Sequence, residues 1–254
     1  MKRILLTTLA LFGASALTAS AGPITIDKFT DLLPAETHYN TVPPEIQNAL
    51  EVGSVRLNSG PTTWRSSETA SQTGLAGVLG GQRDSTLTHV SGTGGGYMAY
   101  IGDGYLSSMT GSGIPWRMTT TLLQYGNVTA LNADFSALAG GYFLLKDWML
   151  DSGTVNATLT LTSGTTTQSK VVSLPAGVGG NAIDVMIGFS EFGLINFSDV
   201  DVIKLQFANT IGGQDWDMGG FSAEGTGVPD GGATLMLLGC ALTGLGALRR
   251  KLGA

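Results

Sequence analysis

Apolar and polar side chains alternate with a period of two residues through much of the chain. In residues 154–162 (TVNATLTLT), one valine, one alanine and two leucines alternate with threonine and asparagine. Because successive side chains of a strand point to opposite faces, this pattern predicts a half-buried β-strand. Gly164 and the threonines after it predict a hairpin turn into a second strand at 169–174.

Further segments of the chain also predict strands. They lie at residues 86–90, 97–101, 119–125, 142–150, 182–188, 200–207 and 215–221. The chain has 38 glycines and many serines and threonines, which favour short strands joined by glycine-rich turns. Only residues 43–52 predict a short helix, with prolines at its start and Gly53 at its end. The expected fold is therefore all-β, a β-sandwich or jelly roll.

The first 21 residues predict a secretory signal peptide. Lys2 and Arg3 precede an apolar stretch at 4–17, and Ala19 and Ala21 supply the small residues of a cleavage site. Signal peptidase would cut after Ala21, and no cysteine follows that site to make a lipoprotein. The sequence therefore predicts export by the Sec pathway.

The other end of the chain carries a second membrane signal. Residues 233–248 are uncharged and apolar, and Arg249, Arg250 and Lys251 follow them directly. As a helix this segment would span about 24 Å, slightly less than the ~30 Å hydrocarbon core that it could cross with some local thinning. The cations predict a cytoplasmic C-terminus. A buried core helix is the alternative, which three terminal cations disfavour.

Charge and cysteine content narrow the classes of function. Five of the 13 basic and one of the 19 acidic residues lie in the two end segments, so residues 22–227 carry a formal charge of −10. Such a domain is not expected to bind nucleic acid, which needs clustered cations. The only cysteine, Cys240, lies in the apolar tail, so the exported part has no disulfide or cysteine metal site.

The tail resembles a known sorting signal. Val228, Pro229, Asp230, Gly231 and Gly232 precede the apolar segment and the basic end, as in PEP-CTERM proteins of the VPDSG-CTERM variant. Gly231 stands where that motif has serine. The resemblance implies processing by an exosortase, a membrane cysteine protease-transpeptidase. It also implies transient anchoring in the inner membrane, then a place at the cell surface or in an exopolysaccharide matrix.

A second resemblance lies inside the exported part. Residues 79–84 (LGGQRD) look like an LGGERD element of exported PEP-CTERM-type proteins, and strands follow up to residues 197–207. The arrangement is similar to galactose-binding-like jelly rolls and carbohydrate-binding modules. Arg83 and Asp84 could form an ion pair that fixes this loop, and a ligand-contacting arginine is the alternative.

The sequence contains no clear catalytic motif. The only histidines are His38 and His89, neither in a Gly-x-Ser-x-Gly setting, and His89 is expected on the polar face of its strand. Glu191, between phenylalanines, is the most suggestive acid for glycoside hydrolysis, but no motif singles it out from an ordinary surface carboxylate. The chain is therefore predicted not to be an enzyme.

Calcium is the only candidate cofactor. Asp215 and Asp217, like Asp199 and Asp201, have i, i+2 spacing and would share one face of a strand, where their oxygens could bind Ca²⁺. In the resembling jelly rolls a structural calcium lies between the first and last strands, which pairs Asp27 with Asp217. Solvated carboxylates are the alternative.

Two aromatic residues in glycine-rich loops, Trp116 and Tyr105, are the candidate contacts for a sugar ring, whereas Trp148 is expected in the core. The sequence thus predicts a signal peptide (1–21), an exported domain (22–222), a linker (223–227) and a sorting tail (228–254). The predicted function is that of a non-enzymatic surface or matrix protein sorted by an exosortase. A carbohydrate-binding module with structural calcium is the alternative, ahead of a glycoside hydrolase.

Overall fold

The alternating segments fold into two antiparallel sheets that form a β-sandwich. The computed structural model describes residues 22–33, 49–53, 66–91, 96–110, 118–138, 140–177 and 180–225, and these contain fourteen strands. The strands are β1 (Ile24–Asp27), β2 (Ala49–Gly53), β3 (Ser67–Thr73), β4 (Gln82–Ser91), β5 (Gly96–Gly102), β6 (Tyr105–Thr110), β7 (Met118–Tyr125), β8 (Tyr142–Leu150), β9 (Thr154–Ser163), β10 (Thr166–Pro175), β11 (Ile183–Gly188), β12 (Val202–Asn209), β13 (Trp216–Met218) and β14 (Gly220–Glu224).

One sheet has six strands in the order β10–β9–β12–β7–β4–β3. Inward-facing and outward-facing residues alternate along its strands. In β9, Val155, Leu159 and Leu161 are buried while the threonines between them face outwards. Outward hydroxyls hydrogen-bond across neighbouring strands, as Thr160 and Ser169 do at 2.8 Å. The outer face of this sheet is therefore rich in threonine and serine.

The second sheet has eight strands built around β8. Strand β11 pairs with one side of β8. Strands β13 and β14 both pair with the other side, and their register against β8 does not shift at Gly219, which lies between them. On their far side β13 pairs with β6 and β14 with β1, so the lateral partner changes at Gly219. The remaining order is β6–β5–β2.

Aromatic side chains fill the space between the sheets. The Trp148 ring stacks on Phe207 of the six-stranded sheet at 5.6 Å and on Trp216 at 5.3 Å. The Trp148 indole nitrogen donates to the Pro175 carbonyl at 3.1 Å, so its polar atom is satisfied. Trp148 is fully buried, as the sequence predicted.

Two predicted segments differ from the observed strands. The helix expected at 43–52 is wrong at its end, because Ala49–Gly53 forms strand β2 paired with β5, and cross-strand pairing outweighs a weak helical pattern. Residues 43–48 lie outside the described residues. Strand β14 continues to Glu224, two residues beyond the predicted domain end, because Ala223 is buried opposite Ile24.

The predicted signal peptide and sorting tail both lie outside the described residues. Within the ranges that are described, no helix is long and apolar enough to span a membrane.

Candidate functional site

The hairpin of β5 and β6 places two tyrosines on the solvent side of the eight-stranded sheet. Tyr100 lies opposite Ser107, and Gly102 lies opposite Tyr105. Directly opposed residues share a face, so the two tyrosines are diagonal neighbours on it. The turn between the strands has positive φ at Asp103 (53°) and Gly104 (84°), as a type I′ hairpin requires.

Glycines below the tyrosines leave room for their rings. A Cβ atom on Gly102 would lie 3.6 Å from the Tyr100 ring. A Cβ atom on Gly219 would lie 2.9 Å from the Asp147 Oδ2 atom and 3.2 Å from Cε1 of Tyr105. Asp147 and Tyr105 therefore approach each other above Gly219, and no larger residue fits there without a shift.

Asp147 reaches this position through a bulge in the middle of strand β8. Its φ is 50°, a conformation that costs an L-residue about 1–3 kcal/mol. The Asp184 Oδ1 atom accepts the Asp147 backbone N–H at 3.1 Å and holds the bulge from strand β11. Before the bulge the inward-facing residues are Phe143 and Leu145, and after it they are Trp148 and Leu150, so the alternation shifts by one residue. The bulge thus turns an acidic side chain outwards from an otherwise apolar strand.

A second carboxylate lies in the next row of the same face. Asp217 of β13 is opposite Ser107, and the Ser107 hydroxyl donates to the Asp217 Oδ1 atom. On the neighbouring strands, Tyr100 of β5 lies opposite Ser107 and Met149 of β8 lies opposite Asp217, so these four residues form one row across the sheet. We call the set Tyr100, Tyr105, Ser107, Asp147 and Asp217 the tyrosine face.

The chemistry of the tyrosine face suits a ligand rich in hydroxyl groups. Aromatic rings offer a flat apolar surface to the C–H groups of a sugar ring, and carboxylates accept hydrogen bonds from hydroxyls. Tyr105 is 36% exposed, so its ring is open to solvent. Of the two aromatic residues named from the sequence, Tyr105 is in this face, at the start of β6 rather than in a loop. Trp116 lies outside the described residues.

The predicted calcium ligands have different surroundings. The Asp27 Oδ2 atom accepts from Arg83 Nη1 at 2.9 Å and from the Tyr125 hydroxyl at 3.0 Å, and its Oδ1 atom accepts from the Phe29 N–H. Burial raises the pKa of Asp27, against the opposing effect of the Arg83 charge. Asp217 is in the tyrosine face, and the Asp215 carbonyl accepts from the Asp151 N–H. Among the described residues, no group of three metal-binding side chains comes together. The calcium site stays a prediction.

The expected ion pair of Arg83 with Asp84 is replaced by the pair with Asp27. Neighbouring residues of a strand face opposite sides, so Arg83 enters the core while Asp84 lies outside and accepts from Asn127 at 2.6 Å. His89 was expected on the polar face, but it shares the inner face with Leu87 because the alternation of β4 continues to it.

Other residues have simpler roles. Glu191 lies in a short 3-10 turn, Phe189–Phe192, and pairs with Lys170 at 2.6 Å on the surface. Sequence reasoning missed Tyr100, Ser107 and Asp147 as members of the tyrosine face. The adjacent charged residues Lys146 and Asp147 inside an apolar strand were the available signal for a bulge.

Comparison with protein families finds the VPDSG-CTERM motif at residues 227–252. No curated protein sequence matches the chain.

Comparison with solved structures finds several that are similar to this chain at low identity. One is the family 11 carbohydrate-binding module of Clostridium thermocellum in complex with a β-1,3-1,4-mixed-linked tetrasaccharide, at 13% identity and a TM-score of 0.32 over 63% of this chain and 89% of that chain. Another is the non-crystalline cellulose specific module CBM28, at 15% identity and a TM-score of 0.35 over 65% and 90%. An agarase matches at 12% identity and a TM-score of 0.36 over 56% of this chain and 23% of its own.

Proposed function

We propose that this protein is an exported, non-enzymatic surface protein that an exosortase sorts through its C-terminal tail. The VPDSG-CTERM motif at 227–252 carries this proposal. Within it, residues 228–232 are followed directly by the uncharged segment 233–248 and then by three cations, which is the order expected of a membrane segment that stops transfer before processing. The signal peptide at the other end of the chain supplies the route of export.

The sorting proposal is tested on the protein recovered from its own cells. Intact mass and cell fractionation should find a mature species that begins at Gly22 and ends near Val228. In an Asp230→Ala variant the full tail should remain attached and the protein should stay in the inner membrane. Thr226→Ala, next to the motif, is the matched control and should be processed normally. A full-length tail in the unaltered protein would overturn the proposal.

The second part of the proposal is that the exported domain binds carbohydrate with the tyrosine face. The supporting observation is the position of Asp147, whose strained backbone turns its carboxylate towards the exposed Tyr105 ring. A hydroxyl-rich ligand would use both groups at once, and the exopolysaccharide of the producing cells is the expected source.

Retention on that exopolysaccharide tests the binding role with two variants. Tyr105→Ala should weaken binding about ten-fold, since an aromatic contact contributes roughly 1–1.5 kcal/mol. Asp147→Gly should also weaken binding while it stabilises the fold by about 1 kcal/mol, because glycine adopts positive φ freely. Met186→Ala, at an exposed residue elsewhere on the same sheet, is the control. Equal retention of all four proteins would refute a role for the tyrosine face.

A further inference from the structure

Strand β10 leaves one side of the six-stranded sheet open. All ten of its residues, Thr166–Pro175, pair with β9, and it pairs with no other strand among the described residues. The register runs from Thr166 opposite Ser163 to Pro175 opposite Thr154 without a shift. Its outer side therefore presents a long, regular row of backbone N–H and C=O groups.

Two other edge strands of the described sandwich, β1 and β11, are short or irregularly paired. Strand β1 has only four residues and a register shift between Thr25 and Asp27. Strand β11 has a register shift between Ile183 and Val185. Short length and local irregularity are the usual means by which proteins prevent edge-to-edge pairing. Strand β10 has neither of these features, and its single proline is its last residue.

The side chains of β10 also favour association. The residues that face outwards are uncharged, namely Thr167, Ser169, Val171 and Ser173, and Val171 is 57% exposed. The one charged residue, Lys170, is on the opposite face and is paired with Glu191 at 2.6 Å. The outward-facing side of β10 is thus uncharged and has an exposed β-branched residue, in a domain whose formal charge is −10.

We propose that β10 pairs antiparallel with β10 of a second copy of this chain, which joins the two six-stranded sheets into one. A two-fold axis at Val171 brings the two Val171 side chains together and places Ser169 opposite Ser173 of the second copy. Lys170 then lies opposite Val172 of the second copy, so no like charges face each other. A different register by one residue would turn the outer face of one sheet towards the inner face of the other.

This pairing is independent of the sorting signal and of the tyrosine face, but it has a consequence for binding through the tyrosine face. Two copies joined through β10 carry two tyrosine faces on one rigid body. Binding of the first face raises the local concentration of the second at the same polysaccharide, which increases retention without any new contact.

Cysteine cross-linking tests the pairing in the full-length protein, with Cys240→Ser as background so that no native thiol remains. Val171→Cys should form a disulfide-linked dimer under mild oxidation, because the two sulfurs would be directly opposed. Thr158→Cys is the matched control, since Thr158 lies opposite Val171 on β9. Its two copies would be three strand spacings, about 14 Å, apart, which is too far for a disulfide.

A charge variant gives a second, independent measurement. Val171→Lys would place two like charges directly opposite each other and should raise the dissociation constant of the dimer about five-fold. Light scattering after size exclusion across a concentration series would measure it, and an unchanged circular dichroism spectrum would show that the fold is intact. A monomer at every concentration, or equal cross-linking of the Val171 and Thr158 variants, would overturn the proposal.

Discussion

Among single residues, the buried pair of Asp27 and Arg83 should have the largest effect on stability. Both side chains are 0% exposed, and their charged atoms are 2.9 Å apart. Asp27→Asn would leave the Arg83 charge buried without a counter-charge, which costs about 3–5 kcal/mol. Urea denaturation of the variant should show this loss as a lower transition midpoint.

Asp84→Asn is the control for this prediction, because Asp84 directly follows Arg83 on β4 but faces outwards. It loses only a hydrogen bond with Asn127 at the surface, so its cost should stay below about 1 kcal/mol. Equal losses for the two variants would mean that the pair of Asp27 and Arg83 is not buried as described.

The same residues show what the sequence could predict about sites. The LGGQRD segment drew attention to Arg83, but its partner is 56 positions away on β1, and no local pattern indicates a contact that folding creates. Tyr105 was predicted as a candidate contact because it is an aromatic residue among glycines. Its neighbours Asp147 and Asp217 come from β8 and β13, so their convergence depends on strand order, which alternation does not encode.

At the scale of elements, the strand formed by β13 and β14 depends on Gly219. A Cβ atom there would lie 2.9 Å from both Cβ and Oδ2 of Asp147. Gly219→Ala should therefore cost about 1–3 kcal/mol through overpacking, measured by chemical denaturation.

A double-mutant cycle isolates the cause of that cost. In an Asp147→Gly background both close contacts disappear, so Gly219→Ala should cost at least 1 kcal/mol less than in the unaltered protein. Additive effects of the two substitutions would show that the glycine is needed for a reason other than the approach of Asp147.

Strands with one buried face were predictable from sequence, whereas the edge strands β2 and β3 were not. Strands β9 and β12 alternate strictly between buried and partly exposed residues because the core selects every second residue. Strand β3 (SETASQT) contains only one buried residue, Ala70, since it lies at a sheet edge, and no alternation reveals it. The same reasoning explains β2, whose segment was predicted as a helix although pairing with β5 makes it a strand.

Considered as a whole, the exported domain closes by pairing its first strand with its last. Strand β14 lies between β8 and β1, and Ile24 pairs with Ala223. The segment after β1 is then fixed to the six-stranded sheet, where Arg83 Nη2 and Gln72 Nε2 donate to the carbonyls of Asp31 and Leu32. The chain must therefore be available almost up to residue 226 before the sandwich can close.

Two truncations test this closure. A chain that ends after Thr226 retains β14 and should unfold cooperatively in urea. A chain that ends after Met218 loses the buried residues Phe221 and Ala223 and leaves β1 without its strand partner. Burial of a phenylalanine alone contributes about 1.5–3 kcal/mol, and Asp27 would lose its fixed position beside Arg83 as well. We therefore expect the shorter chain to lack a cooperative transition and to be digested rapidly by protease. If it unfolds with the same midpoint as the longer chain, closure does not depend on β14. If it fails as expected, the domain can fold only when the residues next to the sorting motif have also been exported.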